Sequence, residues 1–441
     1  MPLLSIDDAR ALLEKVLSYS QADACEANLN GSDGGNIRYA RNTVTTAGAQ
    51  SDLNLVVQCS FGKKSGIATI NELDDTSLEK TVRRAEELAR LAPENPEFMP
   101  PLSPQDYVET PTFVEATAGI TPEYRAQVAA DSIKPAREKS ITAAGFFQNN
   151  VSFGAMMNSN GLFAYNRSTG MNFSVTMRTE DGTGSGYATR DYNDVERFDS
   201  VAVSQISLDK AMMSKEPRAV EPGKYTVILE PAAAIGLIQN MMFNMDARQA
   251  DEGRSFMAKA GGGTRLGEKI VDERVTIYTD PTHPEVPSSG WAGDGQARKR
   301  MVWIDKGVVT NLNYSRFWAD KQGVEPTASP GNGIMDGGQA SLEDLIADTR
   351  RGILVTRLWY IREVDPQTLL YTGLTRDGTF FIENGRISFP VKNFRFNESP
   401  IIMLNNLEAL GQPMRIRDNF VMHIPPIKVR DFTFSSLSDA V

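Results

Sequence analysis

The chain has very few of the residues that bind metals or form disulfides. Its 441 residues include two histidines, His283 and His423, and two cysteines, Cys25 and Cys59. None of the four stands in a Cys-x-x-Cys or His-x-x-x-His arrangement, although metal sites need several such ligands at short spacings. The sequence therefore predicts no metal-dependent chemistry by this chain alone, and free thiols in a reducing cytoplasm.

Long apolar runs and clusters of positive charge are missing as well. No stretch of about 18 apolar residues exists, and the N-terminus leads straight into a capped helix, so we expect neither a membrane span nor a secretory signal. The net charge of −10 disfavours direct nucleic-acid binding, which needs clustered Lys and Arg. The one compact basic run, Arg298-Lys299-Arg300, is interpreted as a solvated turn or strand edge.

The residues that are present indicate a folded chain with more than one domain. Hydrophobic residues make up 41% and charged residues 23%, which is close to globular averages. Six prolines between Pro93 and Pro111 exclude helix and central strand, so residues 93–111 are predicted to be an extended connector. We place the main boundary at residues 217–222, which gives domains 1–218 and 219–441.

Local patterns predict helices packed on an antiparallel sheet in the N-terminal domain. Apolar residues at helical spacing predict helices at about 5–18 and 76–91. Alternating residues predict strands at 24–29 and 36–40, a hairpin at 53–70 and further strands within 140–192. Thr121 is expected to cap a helix that begins at Pro122, and Pro135 is expected to kink this helix or end it early.

The C-terminal domain is predicted to be a large, mostly antiparallel curved sheet or a barrel-like β domain with few helices, so the fold class is α+β. A strand at 225–229 precedes a helix that begins near Pro231. Two turns share one pattern, Asp305-Lys306-Gly307 and Glu383-Asn384-Gly385, and both are interpreted as hairpins of one sheet.

Two motifs fail as catalytic or nucleotide-binding sites. His283 lies in a loop bracketed by prolines and His423 precedes Ile424-Pro425-Pro426, so each is interpreted as structural or solvent-facing, and not as the base of a serine nucleophile. The run Gly261–Gly267 lacks a Gly-Lys-Ser/Thr ending and a preceding strand, which favours a flexible turn over a phosphate loop.

Several features, in this order along the chain, resemble the TldD/PmbA family, also called modulator of DNA gyrase proteins. They are an Asn-Ser-x-Gly element at Asn158–Gly161, a strand, the alanine-rich helix from Pro231 to Asn244, a Gly-rich run and the two hairpins. The resemblance covers essentially the whole chain. It implies a peptidase framework in which the TldD-type subunit binds zinc through a His-Glu-x-x-x-His helix and a later cysteine.

The resemblance also implies that this chain has lost the metal motif. Aligned on the helix, Gln239, Asn240 and Asn244 occupy the His, Glu and His positions, and Arg376 falls near the cysteine position. Neutral carboxamides bind zinc poorly, and Asn240 cannot accept a proton as a carboxylate does. This pattern is that of the TldE (PmbA) branch, so we expect no catalytic residue, no metal ligand and no cofactor here, with zinc only in a TldD-like partner.

The function implied by the resemblance is that of a non-catalytic subunit. It would form a heterodimer with a TldD-like zinc metallopeptidase and help to proteolyse unstructured peptides, which are held in extended form. Two alternatives stay open: a homodimeric peptide-binding or regulatory protein of the same family, or an independent hydrolase with an unrecognised site that uses His283 or His423.

Overall fold

The N-terminal half is built around one six-stranded antiparallel sheet in the structure, a computed structural model that describes residues 3–438. Its strands are β1 (Ala24–Ala40), β2 (Thr43–Phe61), β3 (Lys64–Ile70), β4 (Ile141–Asn158), β5 (Phe163–Thr179) and β6 (Ser185–Tyr192). Their spatial order is β3-β2-β1-β4-β5-β6. The strands predicted at 24–29 and 36–40 are one continuous strand, because residues 30–35 pair with both β2 and β4.

Helices cover one face of this sheet and bury its apolar side chains. They are α1 (Ile6–Ser18), α2 (Asp75–Leu91), α3 (Glu115–Ala118), α4 (Pro122–Glu138) and α5 (Ser200–Met213). One core lies under α1 and α2 around Leu29 and Leu55, and a second lies under α4 and α5 around Phe147 and Phe173. The expected helices on an antiparallel sheet are confirmed.

Pro135 does not end its helix early, so that part of the expectation is wrong, whereas the alternative of a kink stays a prediction. Helix α4 begins at Pro122 with the Thr121 side chain as its cap and continues three residues beyond Pro135 to Glu138. Pro135 lacks the backbone N–H that would bond to the carbonyl four residues earlier. Only three helical residues follow it, so the helix loses one hydrogen bond near its end and still continues. The carbonyl of Pro135 still accepts from the amide of Lys139.

The C-terminal half contains two sheets with a shared core. The strands are β7 (Gly223–Leu229), β8 (Ile277–Thr279), β9 (Met301–Asp305), β10 (Val308–Val309), β11 (Gly333–Met335), β12 (Arg351–Asp365), β13 (Leu370–Glu383), β14 (Arg386–Pro390), β15 (Phe394–Glu398), β16 (Leu407–Leu410), β17 (Met414–Arg417), β18 (Val421–Ile424) and β19 (Ile427–Leu437). The helices are α6 (Pro231–Phe243), α7 (Ala247–Asp251), α8 (Arg316–Gln322), α9 (Leu342–Ala347) and α10 (Pro400–Asn405).

Pairing of β12 with β13 closes the larger C-terminal sheet. Its order is β12-β7-β19-β15-β13-β14, and β12 also bonds to β13, so five of these strands form a barrel-like ring. The second sheet has the order β10-β9-β8-β11-β18-β17. The α+β class and the barrel-like C-terminal domain are therefore confirmed.

The two predicted hairpin turns form as expected but not in one sheet. Positive φ angles occur at Lys306 and Gly307 and at Asn384 and Gly385, as the tight turns require. The first turn joins β9 to β10 in the six-stranded sheet, whereas the second joins β13 to β14 in the larger one. Their shared pattern therefore reflects turn chemistry alone, and their assignment to one sheet is wrong.

The proline-rich connector has neither helix nor strand between α2 and α3, as predicted. It lies against the C-terminal half: Arg248 donates two hydrogen bonds to Glu97, at 2.9 and 3.0 Å, and the Tyr107 hydroxyl donates to the carbonyl of Gly295 at 2.7 Å. The boundary at 217–222 falls between α5 and β7, and the division into two domains stays a prediction. No helix within residues 3–438 is long and apolar enough to cross a membrane.

Candidate functional site

A cavity of about 540 Å³ lies between α6, β12 and residues 416–419, and we call it the central cleft. Gly236 and Asn240 both line it, because residues four apart share one face of a helix. A Cβ atom on Gly236 would lie 2.7 Å from the Cδ1 atom of Ile361. Glycine therefore allows β12 to approach α6 closely and narrows the cleft at this point.

Gln239 points away from the central cleft and is fully buried. Its Nε2 donates to the carbonyl of Phe420 at 2.6 Å, and its Oε1 accepts from the backbone N–H of Asn419 at 3.2 Å. Both ends of the carboxamide are thus committed to the segment between β17 and β18. This side chain connects α6 to that segment and is not directed at a ligand.

Asn240 and Asn244 have different environments from Gln239 and from each other. Asn240 is half-buried and lines the central cleft. Asn244 is the C-cap residue of α6, and its Nδ2 donates to the carbonyl of Asn240 at 2.9 Å and to the hydroxyl of Tyr371 at 3.2 Å. Of the three carboxamides, Asn240 is the one that a ligand in the cleft could contact.

Arg376 lies on β13, and its guanidinium stacks on an aromatic ring that lines the central cleft. Its guanidinium carbon is 4.3 Å from the ring centre of Trp359, which lines the cleft. The structure thus brings Asn240 and Arg376 near the same cavity and turns Gln239 away from it. Whether these positions correspond to a lost metal motif stays a prediction.

The side chains at these positions do not fit a zinc ion. Zinc sites use thiolates, imidazoles and carboxylates, whereas this site offers carboxamides beside a guanidinium, and Gln239 is already bonded on both sides. Within residues 3–438, no group of three or more His, Cys, Asp or Glu side chains is arranged to hold a metal ion. The chemistry available to the cleft is therefore hydrogen bonding, charge and aromatic contact.

A larger cavity, of about 890 Å³, meets the central cleft at Tyr187, Thr189, Arg417 and Asp418, and we call it the polar groove. One wall is the face of the N-terminal sheet that the helices leave uncovered. Amide, hydroxyl and carboxylate side chains from β4, β5 and β6 form this wall: Gln148, Asn150, Ser152, Ser168, Asn172, Ser174, Thr189 and Asp191. The sheet register aligns them in rows, such as Gln148 opposite Asn172 and Asn172 opposite Asp191.

Buried ionic and polar contacts hold the two halves of the chain together around these cavities. Asp191 accepts from Arg415 at 2.7 and 3.1 Å, and both side chains are 5% exposed. Ser185 donates to Asp377 at 2.7 Å in a buried contact. Because β6 carries both Asp191 and Ser185, this strand supplies two buried contacts between the N-terminal sheet and the C-terminal half.

The structure places His283 and His423 together, which the sequence did not show. Their ring centres are 5.3 Å apart. Burial lowers the pKa of both imidazoles, and the proximity of His283 lowers the pKa of His423 further. Within residues 3–438, Nδ1 of His283 accepts a hydrogen bond from the amide of Glu285 at 3.3 Å, and the His423 ring bonds to the backbone of Pro413. Neither partner is a serine or cysteine side chain, so the arrangement lacks a nucleophile.

One β-bulge shapes the wall of the central cleft and a second lies on the paired strand β13, and the sequence reasoning missed both. Between Trp359 and Arg362 the register of β12 against β13 gains one residue, and Tyr360 adopts a φ of +56°. On β13 a second irregularity gives Asp377 a φ of +56° and leaves its side chain buried. The run Leu358-Trp359-Tyr360-Ile361, four apolar residues where a strand should alternate, is the signal that could have revealed the first bulge.

The fold is that of a metalloprotease-related class of protein, as comparison with known proteins shows. Three family models match in chain order, the PmbA/TldA metallopeptidase domain 1 at residues 25–89, the central domain at 110–215 and the C-terminal domain at 222–436. The chain belongs to the PmbA/TldD family.

Individual relatives agree with this assignment. Metalloprotease PmbA of Escherichia coli O157:H7 is 22% identical over 94% of both chains. A metalloprotease of Methanothermobacter thermautotrophicus is 25% identical over 60% of this chain, and the match spans only 61% of that protein. The crystal structure of TldE from Thermococcus kodakarensis superposes with a TM-score of 0.87 at 18% identity, covering 97% of this chain and 99% of that one, which shows a shared fold.

Proposed function

We propose that this chain is a non-catalytic subunit that forms part of the substrate chamber of a TldD-like zinc metallopeptidase. The observation that carries the proposal is the position of α6 and the hydrogen bonding of its Gln239 side chain. The helix stands at the wall of the central cleft, but Gln239 is buried and bonded to the chain at Asn419 and Phe420. A helix that supplied zinc ligands would instead direct imidazole and carboxylate groups into the cleft.

The cavities suit an extended peptide. Together the polar groove and the central cleft present side-chain amides and hydroxyls, which both donate and accept hydrogen bonds. An extended peptide exposes N–H and C=O groups along its whole length. Side chains of this kind can bond to such a backbone at many positions without requiring a particular sequence, which supports the binding of unstructured peptides.

The test is peptide cleavage by the purified chain, by a TldD-like subunit that carries His-Glu-x-x-x-His, and by their mixture. We expect no cleavage by this chain alone, and a higher kcat/KM for the mixture than for the partner alone. Zinc-dependent turnover by the pure chain would reject the proposal. The alternative of a homodimeric binding protein predicts instead a stable homodimer that the partner does not disrupt, which sedimentation equilibrium measures.

The alternative of an independent hydrolase is tested at the paired histidines. Substituting His283 and His423 together with alanine should leave cleavage by the mixture unchanged, because the structure shows no nucleophile bonded to either ring within residues 3–438. A loss of turnover without loss of folding would favour the hydrolase.

A further inference from the structure

Arginine and aromatic side chains project into the central cleft from the bulged part of β12. We define Arg357, Trp359, Tyr360 and Arg362 as the arginine–aromatic ledge; all four line the cleft. Trp359 is 40% exposed and Tyr360 is 57% exposed, which is unusual for large aromatic residues of a strand in a core sheet. The ledge is therefore an open surface inside a cavity.

The backbone that creates this ledge is strained. Tyr360 has a φ of +56°, in the left-handed region that a bulky residue rarely occupies. Tyr360 lies within the bulge between Trp359 and Arg362, which places one extra residue on β12. The extra residue interrupts the alternation of side chains between the two faces of the strand. Strain of this kind persists only where the surrounding structure enforces it, and it is concentrated at functional sites.

The arginines of the ledge are held in place by stacking. The guanidinium carbon of Arg357 lies 4.1 Å from the ring centre of Tyr187 and its Nη1 is 3.1 Å from the buried carboxylate of Asp377. Arg362 stacks at 4.4 Å on Tyr360. Stacked guanidinium groups keep free edges for hydrogen bonding, and a planar guanidinium binds a carboxylate with two parallel bonds.

The central cleft has an excess of positive charge in a chain whose net charge is −10. Its charged lining residues are Arg357, Arg362, Arg417 and Asp418, three cations against one anion. Arg417 approaches Asp191 at 3.6 Å with 49% of its side chain exposed. Among the ion pairs of the described residues, none involves Arg362. This charge pattern favours an anionic ligand.

We propose that the ledge and Arg417 bind carboxylate groups of an extended peptide, so that this chain selects carboxylate-bearing segments for the complex. The proposal rests on the proposed function, since it names the substrate class of the same chamber. A carboxylate could come from an Asp or Glu side chain or from the C-terminus of the peptide. Trp359 and Tyr360 would contact the apolar parts of the neighbouring peptide residues.

The experiment is fluorescence anisotropy of labelled peptides of equal length with the full chain. One peptide has internal glutamates and an amidated C-terminus, one has glutamines and a free C-terminal carboxylate, and one has glutamines and an amide. We expect one or both carboxylate-bearing peptides to bind about tenfold more tightly than the neutral one, with the preference falling as salt rises. Which of the two binds tightly identifies the source of the carboxylate.

Matched double variants connect this preference to the cleft. Arg362→Gln with Arg417→Gln should remove the preference, whereas Arg386→Gln with Arg395→Gln, two exposed arginines that do not line the cleft, should preserve it at the same net charge. Equal binding of all three peptides, or equal loss in both double variants, would overturn the proposal. If no peptide binds, the proposal also fails.

The outcomes separate this proposal from the proposed function. If the chain still raises kcat/KM of the partner for neutral peptides but shows no carboxylate preference, only the selection of carboxylate-bearing segments is wrong. If the cleft variant binds acidic peptide normally but no longer associates with the partner, the ledge is a subunit contact and the proposal is likewise overturned.

Discussion

The N-terminal sheet and the C-terminal half differ in the regularity of their strands. The pairing of β4 with β5 runs from Ile141 to Met157 without a register shift, and that of β5 with β6 is also unbroken. The pairing of β12 with β13 shifts three times, and non-glycine residues within both strands have positive φ. The regular strands β4, β5 and β6 present a uniform polar wall, whereas the irregular strand β12 directs individual side chains into the cleft.

The two regions therefore contribute differently to the polar groove and the central cleft. A regular register repeats the same chemistry every second residue, which suits binding of a peptide backbone at many points. Bulges break that repetition and place an arginine or an aromatic ring at a single point. Stability should accordingly depend most on the contacts that join the regions, and least on the strained residues of the ledge.

The largest effect is expected where the two regions are joined, at Asp191 and Arg415. Asp191→Ala leaves a buried guanidinium without its carboxylate and should lower the free energy of unfolding by about 3–5 kcal/mol. Urea denaturation measures this loss. The control is Glu87→Ala, which breaks the exposed pair with Arg84 and should cost less than about 1 kcal/mol. Similar losses in both variants would show that β6 does not anchor the two halves.

A second prediction compares neighbouring carboxamides of α6. Gln239→Ala removes the hydrogen bonds to Asn419 and Phe420 and leaves a small cavity, so it should destabilise the protein by about 2–4 kcal/mol. Asn240→Ala changes a side chain that lines the cleft and should cost less than about 1 kcal/mol. Thermal unfolding of both variants checks this contrast, and a larger loss for Asn240→Ala would contradict the structural role of Gln239.

Replacing the strained residue of the ledge, Tyr360, should stabilise the protein, whereas the two preceding substitutions destabilise it. Tyr360→Gly relieves the positive φ, so it should raise the free energy of unfolding by about 0.5–1 kcal/mol. Arg362→Gly, on the same strand but without positive φ, should lower it by about 0.5–1 kcal/mol. Equal destabilisation in the two variants would mean that the bulge stores no strain at Tyr360.

The last effect is seen only as a dependence on pH, and it concerns the buried Glu398 and the half-buried His423 of the irregular half. Burial raises the pKa of Glu398 to about 7, so the folded state keeps its proton while the unfolded state loses it, and stability falls as pH rises from about 4.5 to 7. The pKa of His423 is lowered, so the folded state resists a proton that the unfolded state accepts, and stability is lost as pH falls below about 6.5.

These opposite trends make the wild-type dependence shallow between about pH 5 and 7. Glu398→Gln should steepen the loss of stability on acidification, and His423→Gln should reduce that loss. Urea unfolding of each variant at about pH 5.5 and 7.5 provides the comparison with wild type. Changes of the same sign in both variants would contradict the assigned pKa directions.

Helix starts and tight turns could be predicted from the sequence in both regions, because their information is local. Thr121 and Pro122 signal a helix start, and Asn384-Gly385 signals a hairpin whatever sheet contains it. The pairing of His283 with His423, however, depends on strand order among β8, β11 and β18. Nonlocal pairing of this kind leaves no pattern in the residues themselves.

The candidate site could be predicted only in part, because its geometry also depends on contacts between distant segments of the chain. The alignment on the helix from Pro231 identified Gln239, Asn240 and Asn244 as one set, but it could not show that adjacent residues face different surroundings. The burial of Gln239 follows from the segment at Asn419 and Phe420, which lies about 180 residues away. The bulge at Tyr360 has a local signal in the apolar run Leu358–Ile361, but its exact register also depends on the paired strand β13.

The most direct test of the central claim is the zinc content and turnover of this chain purified without any partner. The chain should contain far less than one zinc per molecule after dialysis against zinc-containing buffer, and it should cleave no peptide, because Gln239 and Asn244 are committed to protein hydrogen bonds. Stoichiometric zinc, together with peptide cleavage that a chelator abolishes and added zinc restores, would contradict the assignment of a non-catalytic subunit.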